Sequence, residues 1–485
     1  MESISDSQLF QNGSFVDGQW LKSDHTFAVS NPATGAELCT LSDASVTDTE
    51  RAVSAAAAAL PGWRGKTAKE RANILRRWFD LIMQHQDELA AILTAEQGKP
   101  LAEAKGEIAY GANYVEWFAE EAKRVYGDTI PHANSNSRIV VIKQPVGVVS
   151  AITPWNFPNA MIARKAAPAL AAGCTFIVKA AHETPLSALA LAGLAKLAGV
   201  PDGVFNVLVS TRSQEVGAVL TSDPRIAKFS FTGSTAVGKI LLAQCASTVK
   251  KTSMELGGNA PFIVFNDADL DAAVKGAMAS KYRNAGQTCV CTNRLLVQSD
   301  IYPAFAAKLV AAVGQLKVGS GSEAGTDIGP LINEKAAANV RDLIASAVAD
   351  GASVLTDADN NPGGSCFVAP TVLGDVSPRM RVATDEIFGP VAPLIKFDTE
   401  AEAIALANDT NVGLASYIYT RDIGRVWRVS EALEYGIVGI NEGLISNEMA
   451  PFGGFKESGM GREGSKYGIE DYLEIKYLCM GGIDS

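Results

Sequence analysis

Pro145-Val146-Gly147-Val148-Val149-Ser150-Ala151-Ile152 is a short, almost wholly apolar run that ends in the rigid turn Thr153-Pro154-Trp155-Asn156-Phe157-Pro158. A run of this length, rich in Val and Ile and closed by proline, reads as a strand covered on both faces. The pattern repeats on either side of it. Residues 138–143 have β-rich composition. Downstream come a helix over 163–172, a strand over 175–179, a helix over 185–198, a strand over 204–208, a helix over 214–221, a strand over 226–231 and a helix starting near Ser234. Apolar strands alternating with helices over short connections predict an α/β fold, with a parallel sheet covered by helices on both faces. Ligands of such sheets bind at the carboxyl ends of the strands. A second strand–helix series runs from about Ala260 to Ile440, and residues 46–125 carry helical periodicity. Two α/β domains with a cleft between them is the simplest architecture.

A chain of 485 residues is long enough for two or three domains, and 47% hydrophobic with 20% charged residues is an ordinary globular balance. The net charge of −11 disfavours nucleic acid and anionic membrane as partners. The apolar run 146–152 is too short to span a bilayer, and the acidic start 1–6 lacks the features of a secretory signal. Seven scattered cysteines form no disulfide framework, so a reducing cytoplasm is expected.

Four segments carry chemistry. In Asn284-Ala285-Gly286-Gln287-Thr288-Cys289-Val290-Cys291, a glycine beside small polar residues lets backbone amides approach a reacting atom, and a thiol held there would be a nucleophile of lowered pKa. The bland alternative is a buried loop with two inert thiols. In Met254-Glu255-Leu256-Gly257-Gly258, Glu255 is either a partly buried general base or a paired turn residue. Asn156 supplies an amide for an oxyanion, or merely packs in a proline turn. Phe231-Thr232-Gly233-Ser234 follows a strand and opens a helix, a plausible phosphate site but not the GxGxxG fingerprint.

Together these segments resemble the aldehyde dehydrogenase superfamily over nearly the whole chain, with Asp385-Glu386-Ile387-Phe388-Gly389-Pro390 and the segment 451–459 adding to the match. The resemblance implies a Rossmann-like cofactor domain (1–126 and 147–255), an α/β catalytic domain (256–458) and a small β oligomerisation element (127–146 and 459–485). It implies that Cys289 attacks the aldehyde and that the Asn156 amide and the Cys289 N–H hold the oxyanion. Glu255 then activates the water that hydrolyses the thioester. Glu386, Phe388, Trp155, Lys179, Gly233 and Ser234 are implied to hold NADP or NAD, and a homo-oligomer, dimer or tetramer, is implied.

Segments 156–164, 281–289, 443–447 and 461–472 look like the succinate-semialdehyde branch, in which two arginines and a serine bind the substrate's far carboxylate. They map to Arg164, Arg283 and Ser446. Arg164, eight residues after Asn156, is expected about two helical turns on. Glutarate semialdehyde, one methylene longer, is the neighbouring alternative. The same motifs also admit a coenzyme A-acylating enzyme, which does not need Glu255, and an inactive structural protein on the same fold. The chain departs from the family after Lys179. Ala180-Ala181-His182-Glu183 replaces the usual Lys-Pro continuation, and His182 stands where NAD-specific members carry a glutamate, which admits NADP. Finally, Cys291 is placed to resolve a sulfenic acid on Cys289, a peroxide switch whose premise is a low-pKa Cys289 thiolate.

Overall fold

The computed structural model describes Ser7 and residues 9–356 and 363–483; the acidic start 1–6, the stretch read for a secretory signal, lies outside the described residues. The run at 145–152 sits in an eight-stranded sheet. Its order is Gln19–Trp20, Phe15–Val16, Phe205–Val209, Thr175–Ala180, Val148–Ile152, Ile226–Thr232, Lys251–Glu255, Gly459–Met460. The five strands from Phe205–Val209 to Lys251–Glu255 are parallel, and antiparallel strands close both edges. Successive side chains of one strand enter different cores. Val149, Ala151, Phe176 and Val178 pack with Trp78 and Leu170, whereas Val148, Ile177 and Leu208 pack with Leu220 and Leu241. Both faces are covered, which is why the strands read as continuous apolar runs rather than as alternation.

From Val148–Ile152 the chain crosses first to Thr175–Ala180 on one side and later to Ile226–Thr232 on the other. A crevice opens where strand order reverses. The carboxyl ends around it carry Trp155 and Asn156, Gly233 and Ser234, Lys179, and Glu255.

The second sheet has seven strands in the order Ser353–Val354, Thr371–Gly374, Val391–Phe397, Thr292–Gln298, Ala260–Val264, Ala415–Tyr419, Ile437–Ile440, and encloses its own core. All but the first are parallel. Asp128–Pro131, Ser137–Pro145 and Leu473–Gly481 form a separate antiparallel sheet. Glu470, in the stretch expected to lie with that small element, pairs with Lys143 of it at 2.5 Å, whereas Gly459 and Met460 do not join it. Gly459 and Met460 pair with Glu255 and Met254 at the edge of the first sheet, because backbone groups left open there find partners in this segment.

The helical stretch at 46–125 is four helices, Val46–Arg64, Ala68–Gln84, Gln86–Gln97 and Leu101–Glu121. Capping boxes at Ser45/Asp48 and Thr67/Glu70 set two of the starts. The helix bearing Arg164 begins only at Ala160, so the spacing from Asn156 is a turn followed by one helical turn, not two helical turns. Asn159 makes no side-chain cap there. Glu107 Oε1 accepts from the Asn159 and Ala160 N–H groups instead, at 3.0 and 3.2 Å. Glu107 Oε2 pairs with Lys99 Nζ at 2.5 Å, and Lys99 also donates to the Asn156 carbonyl at 2.8 Å. Both charged side chains are buried. Lys99→Met strands the Glu107 carboxylate and should cost about 3–5 kcal/mol, whereas breaking the exposed Lys123–Glu120 pair should cost under ~1 kcal/mol. Urea unfolding of the two variants checks this.

Candidate active site

A cavity of about 280 Å³ opens at the crevice, bounded by Asn156, Arg164, Glu255, Arg283, Cys289, Glu386, Phe388 and Ser446 among others. The loop delivering Cys289 is strained. Asn284, Ala285 and Gly286 all take left-handed conformations, at φ of 52°, 54° and 77°. Such a conformation costs a residue with a Cβ roughly 1–2 kcal/mol, so the surroundings must hold it. The Asn284 N–H donates to Glu103 Oε2 at 2.8 Å, and its side chain donates to the Asn156 carbonyl at 3.0 Å and accepts from Gln97 at 3.0 Å. A side chain at Gly286 would meet the Gly389 carbonyl at 2.2 Å.

The glycine pair after Glu255 has a steric reason. A Cβ on Gly257 would stand 2.7 Å from Glu386 Oε2, and one on Gly258 would stand 2.5 Å from the Cys289 carbonyl oxygen. Three functional segments therefore meet at two residues without side chains. Asn156 Nδ2 donates to the Gln287 carbonyl at 2.9 Å, which uses one of its two N–H groups and leaves the other for a ligand.

The expectation of a low-pKa thiol is corrected. Cys289 keeps some surface open to the cavity but has protein on every side; burial, with the Glu386 and Glu255 carboxylates, pushes its thiol up to about 12. Arg164 and Arg283 pull the other way and do not win. The peroxide switch loses that premise. Cys291 is buried, and its sulfur lies 3.4 Å from Lys281 Nζ.

Glu255 is buried with neither carboxylate oxygen hydrogen-bonded. Burial first, then the Glu463 carboxylate, raise it well above the ordinary range, against Arg164, Lys165 and Arg462. A carboxyl so placed becomes a base as pH rises through its shifted pKa, and it is a stronger base for the shift. Glu463 lies 2.5 Å from Lys165 Nζ and 2.6 Å from Arg164 Nε, the latter contact lacking hydrogen-bond alignment. Burial pushes Glu463 up, but Lys165 and Arg164 outweigh it and hold its carboxyl low.

Arg164 donates from Nη1 to the Tyr110 hydroxyl at 3.2 Å and rests on the Phe452 ring at 4.1 Å, while its Nη2 has no partner. Arg283 lies 5.4 Å over the Phe157 ring, which also carries Lys99 Nζ at 3.9 Å. Ser446 reaches the same cavity from a loop of the catalytic domain.

The cofactor side is consistent with a dinucleotide. Ser234 caps the helix Thr235–Cys245. Lys179 is buried, and its one bond is a long one of 3.3 Å to the adjacent Ala180 carbonyl, leaving donors for ribose hydroxyls. The Trp155 and Phe388 rings meet edge to face at 5.6 Å. Glu386 accepts from the Gly258 N–H at 3.2 Å. His182 is half-buried and pairs with Glu183 at 3.3 Å.

Sequence reasoning missed Lys99, Glu107, Lys165 and Glu463. One signal was available: Lys165, beside Arg164, is a second cation in an otherwise apolar helix. It also missed Asn259 and Asn293. Asn259 donates to the Ala383 and Thr384 carbonyls, while Asn293 donates to Asn259 and to the Asp385 carbonyl. Asn293 also accepts from the Ile387 N–H, so the pair pins the loop bearing Glu386 and Phe388.

Among the described residues no helix is long and apolar enough to cross a membrane, and no cluster of ligands could hold a metal. A thiol, a buried carboxyl and an amide thus line one cavity at the crevice where strand order reverses. Residues 20–478 match the model of the aldehyde dehydrogenase family, and the chain belongs to that family. It is 61% identical to a glutarate-semialdehyde dehydrogenase of Pseudomonas aeruginosa, over 99% of this chain and all of that one. It is 59% identical to an NADP(+) succinate-semialdehyde dehydrogenase of Escherichia coli, over 99% of both. A crystal structure of succinate-semialdehyde dehydrogenase from Burkholderia pseudomallei superposes with a TM-score of 0.97 at 61% identity, covering 98% of this chain and 99% of that one.

With its thiol pushed up to about 12, free Cys289 is protonated at neutral pH. Alkylation of the cofactor-free protein by iodoacetamide should be slow at pH 7 and climb about tenfold per pH unit past pH 10. A rate plateau below pH 8 would contradict the assignment.

Proposed function

We propose that the chain oxidises a short aldehyde bearing a distal carboxylate to the diacid, with succinate semialdehyde as substrate and glutarate semialdehyde as the longer alternative. The observation that carries this reading is a pair of guanidinium groups, Arg164 and Arg283, lining the cavity that holds Cys289. Each lies over an aromatic ring, and Arg164 keeps an unpartnered Nη2. A carboxylate held there, with Ser446 beside it, points the aldehyde at the thiol.

Cys289 adds to the carbonyl, and the free Asn156 N–H and the Cys289 backbone N–H receive the oxyanion; one such donor contributes roughly 3–4 kcal/mol. Ser234, Lys179, Glu386 and Phe388 would hold NADP or NAD, which would supply the hydride acceptor and a positive ring that favours the thiolate. Glu255 takes the proton of the water that attacks the thioester. Its presence in the cavity favours hydrolysis over transfer to coenzyme A, and the complete set of Cys289, Glu255 and Asn156 favours an enzyme over an inactive scaffold. His182, tied to Glu183, puts no unpaired carboxylate against a 2′-phosphate, so both cofactors are accepted. Cys291 is the thiol that would resolve a sulfenic acid on Cys289.

The strand Leu473–Gly481 exposes Ile475, Tyr477 and Met480, an apolar edge that favours assembly into a dimer or tetramer. The acidic chain and its unpaired thiols suit a cytoplasmic enzyme.

Arg164→Ala and Arg283→Ala should each raise KM for succinate semialdehyde by ~30-fold or more, the equivalent of about 2 kcal/mol or above, and change KM for butanal little. Steady-state assays with both aldehydes and both cofactors test it. Equal losses on both aldehydes would give the arginines a structural role.

A further inference from the structure

The Arg164 guanidinium stands beside the Glu463 carboxylate and lines the cavity that also holds Glu255. Its Nε lies 2.6 Å from Glu463, its Nη1 donates to Tyr110, its face covers Phe452, and only Nη2 is free. Glu463 is also the carboxylate that most opposes ionisation of Glu255, and Arg164 is the foremost cation favouring it. The charges facing Glu255 come from three directions. The helix Ala160–Ala172 presents Arg164 and Lys165, the segment after Met460 presents Arg462 and Glu463, and the nucleophile loop presents Cys289. Lys165 is engaged by Glu463 and Ser230, at 2.5 and 3.0 Å. Among these cations Arg164 lines the cavity, and its buried Nη2 has no hydrogen-bond partner.

We propose that Arg164 couples substrate recognition to the general base: an anion seated on its Nη2 cancels part of the guanidinium field at Glu255, so Glu255 holds its proton to higher pH when the bound ligand carries a distal anion. The inference rests on the reading of Arg164 as the carboxylate anchor. Its consequence is selective. An aldehyde with a distal carboxylate produces a thioester flanked by a stronger base that ionises later, whereas an uncharged aldehyde leaves the base unchanged.

Two amides of the same shape separate the effects. Succinamate carries the distal carboxylate, and butyramide has a methyl group in its place. The protonated Glu255 carboxyl is followed by its infrared C=O band, identified by its loss in Glu255→Gln, as pH is raised with each ligand saturating. The midpoint should lie about half a pH unit or more higher with succinamate, as an added nearby anion requires. Coincident midpoints, or a band that does not titrate, overturn the coupling. The anchor is tested separately. If Arg164→Gln leaves the KM for succinate semialdehyde unchanged, the anchor reading itself fails. If that KM rises while the native midpoints coincide, the anchor stands and the coupling falls.

Discussion

Four residues, Leu256-Gly257-Gly258-Asn259, join the last parallel strand of one sheet to the first strand of the other. So short a link leaves the two sheets little freedom, and everything catalytic is arranged around it. Glu255 ends the first sheet. Ala260–Val264 pairs with Thr292–Gln298, the strand that follows Cys289. Glu255 and Cys289 are therefore brought together by strand pairing. Gly258 admits the Cys289 carbonyl, Gly257 admits the Glu386 carboxylate, and Asn259 ties down the loop from which Glu386 comes. A side chain at either glycine would push apart segments that must touch.

Burial is the dominant electrostatic force in the cavity, and it acts against both reacting groups. It raises the thiol and the carboxyl alike, against Arg164, Arg283, Arg462 and Lys165. A positive cofactor ring bound at the crevice would offset this burial by favouring the thiolate. Glu463 stays ionised because two adjacent cations, Arg164 and Lys165, meet it from one helix. The strained left-handed run at 284–286 is the conformational counterpart. It is held by Glu103, Gln97 and Asn156 from the first domain, so the nucleophile's position depends on both halves of the molecule.

Most of the frame was legible in the sequence because parallel strands covered on both faces must be apolar throughout. Those at 148–152, 175–180, 205–209 and 226–232 could be found within a residue or two. Cys289, Glu255 and Asn156 were legible because each sits beside a glycine or proline that its local geometry requires. Glu463 was not, since its partners Arg164 and Lys165 lie about 300 residues away in the chain and no local pattern records such a pairing. Lys99 and Glu107 are close in sequence, but one spans a helix start and the other a helix face, and their target is the turn at Asn156. The sign of the Cys289 shift was misread for a related reason. A motif shows which charges are near a thiol but not how much protein covers it, and here coverage decides.

In the proposed reaction Cys289 carries the acyl group and Glu255 releases it. Glu255→Gln, mixed with succinate semialdehyde and NADP and quenched in acid, should retain a succinyl group that peptide mass mapping locates on Cys289 alone, with Cys291 unmodified. An acyl group on Cys291, or rapid turnover that leaves no covalent adduct on Cys289, would contradict it.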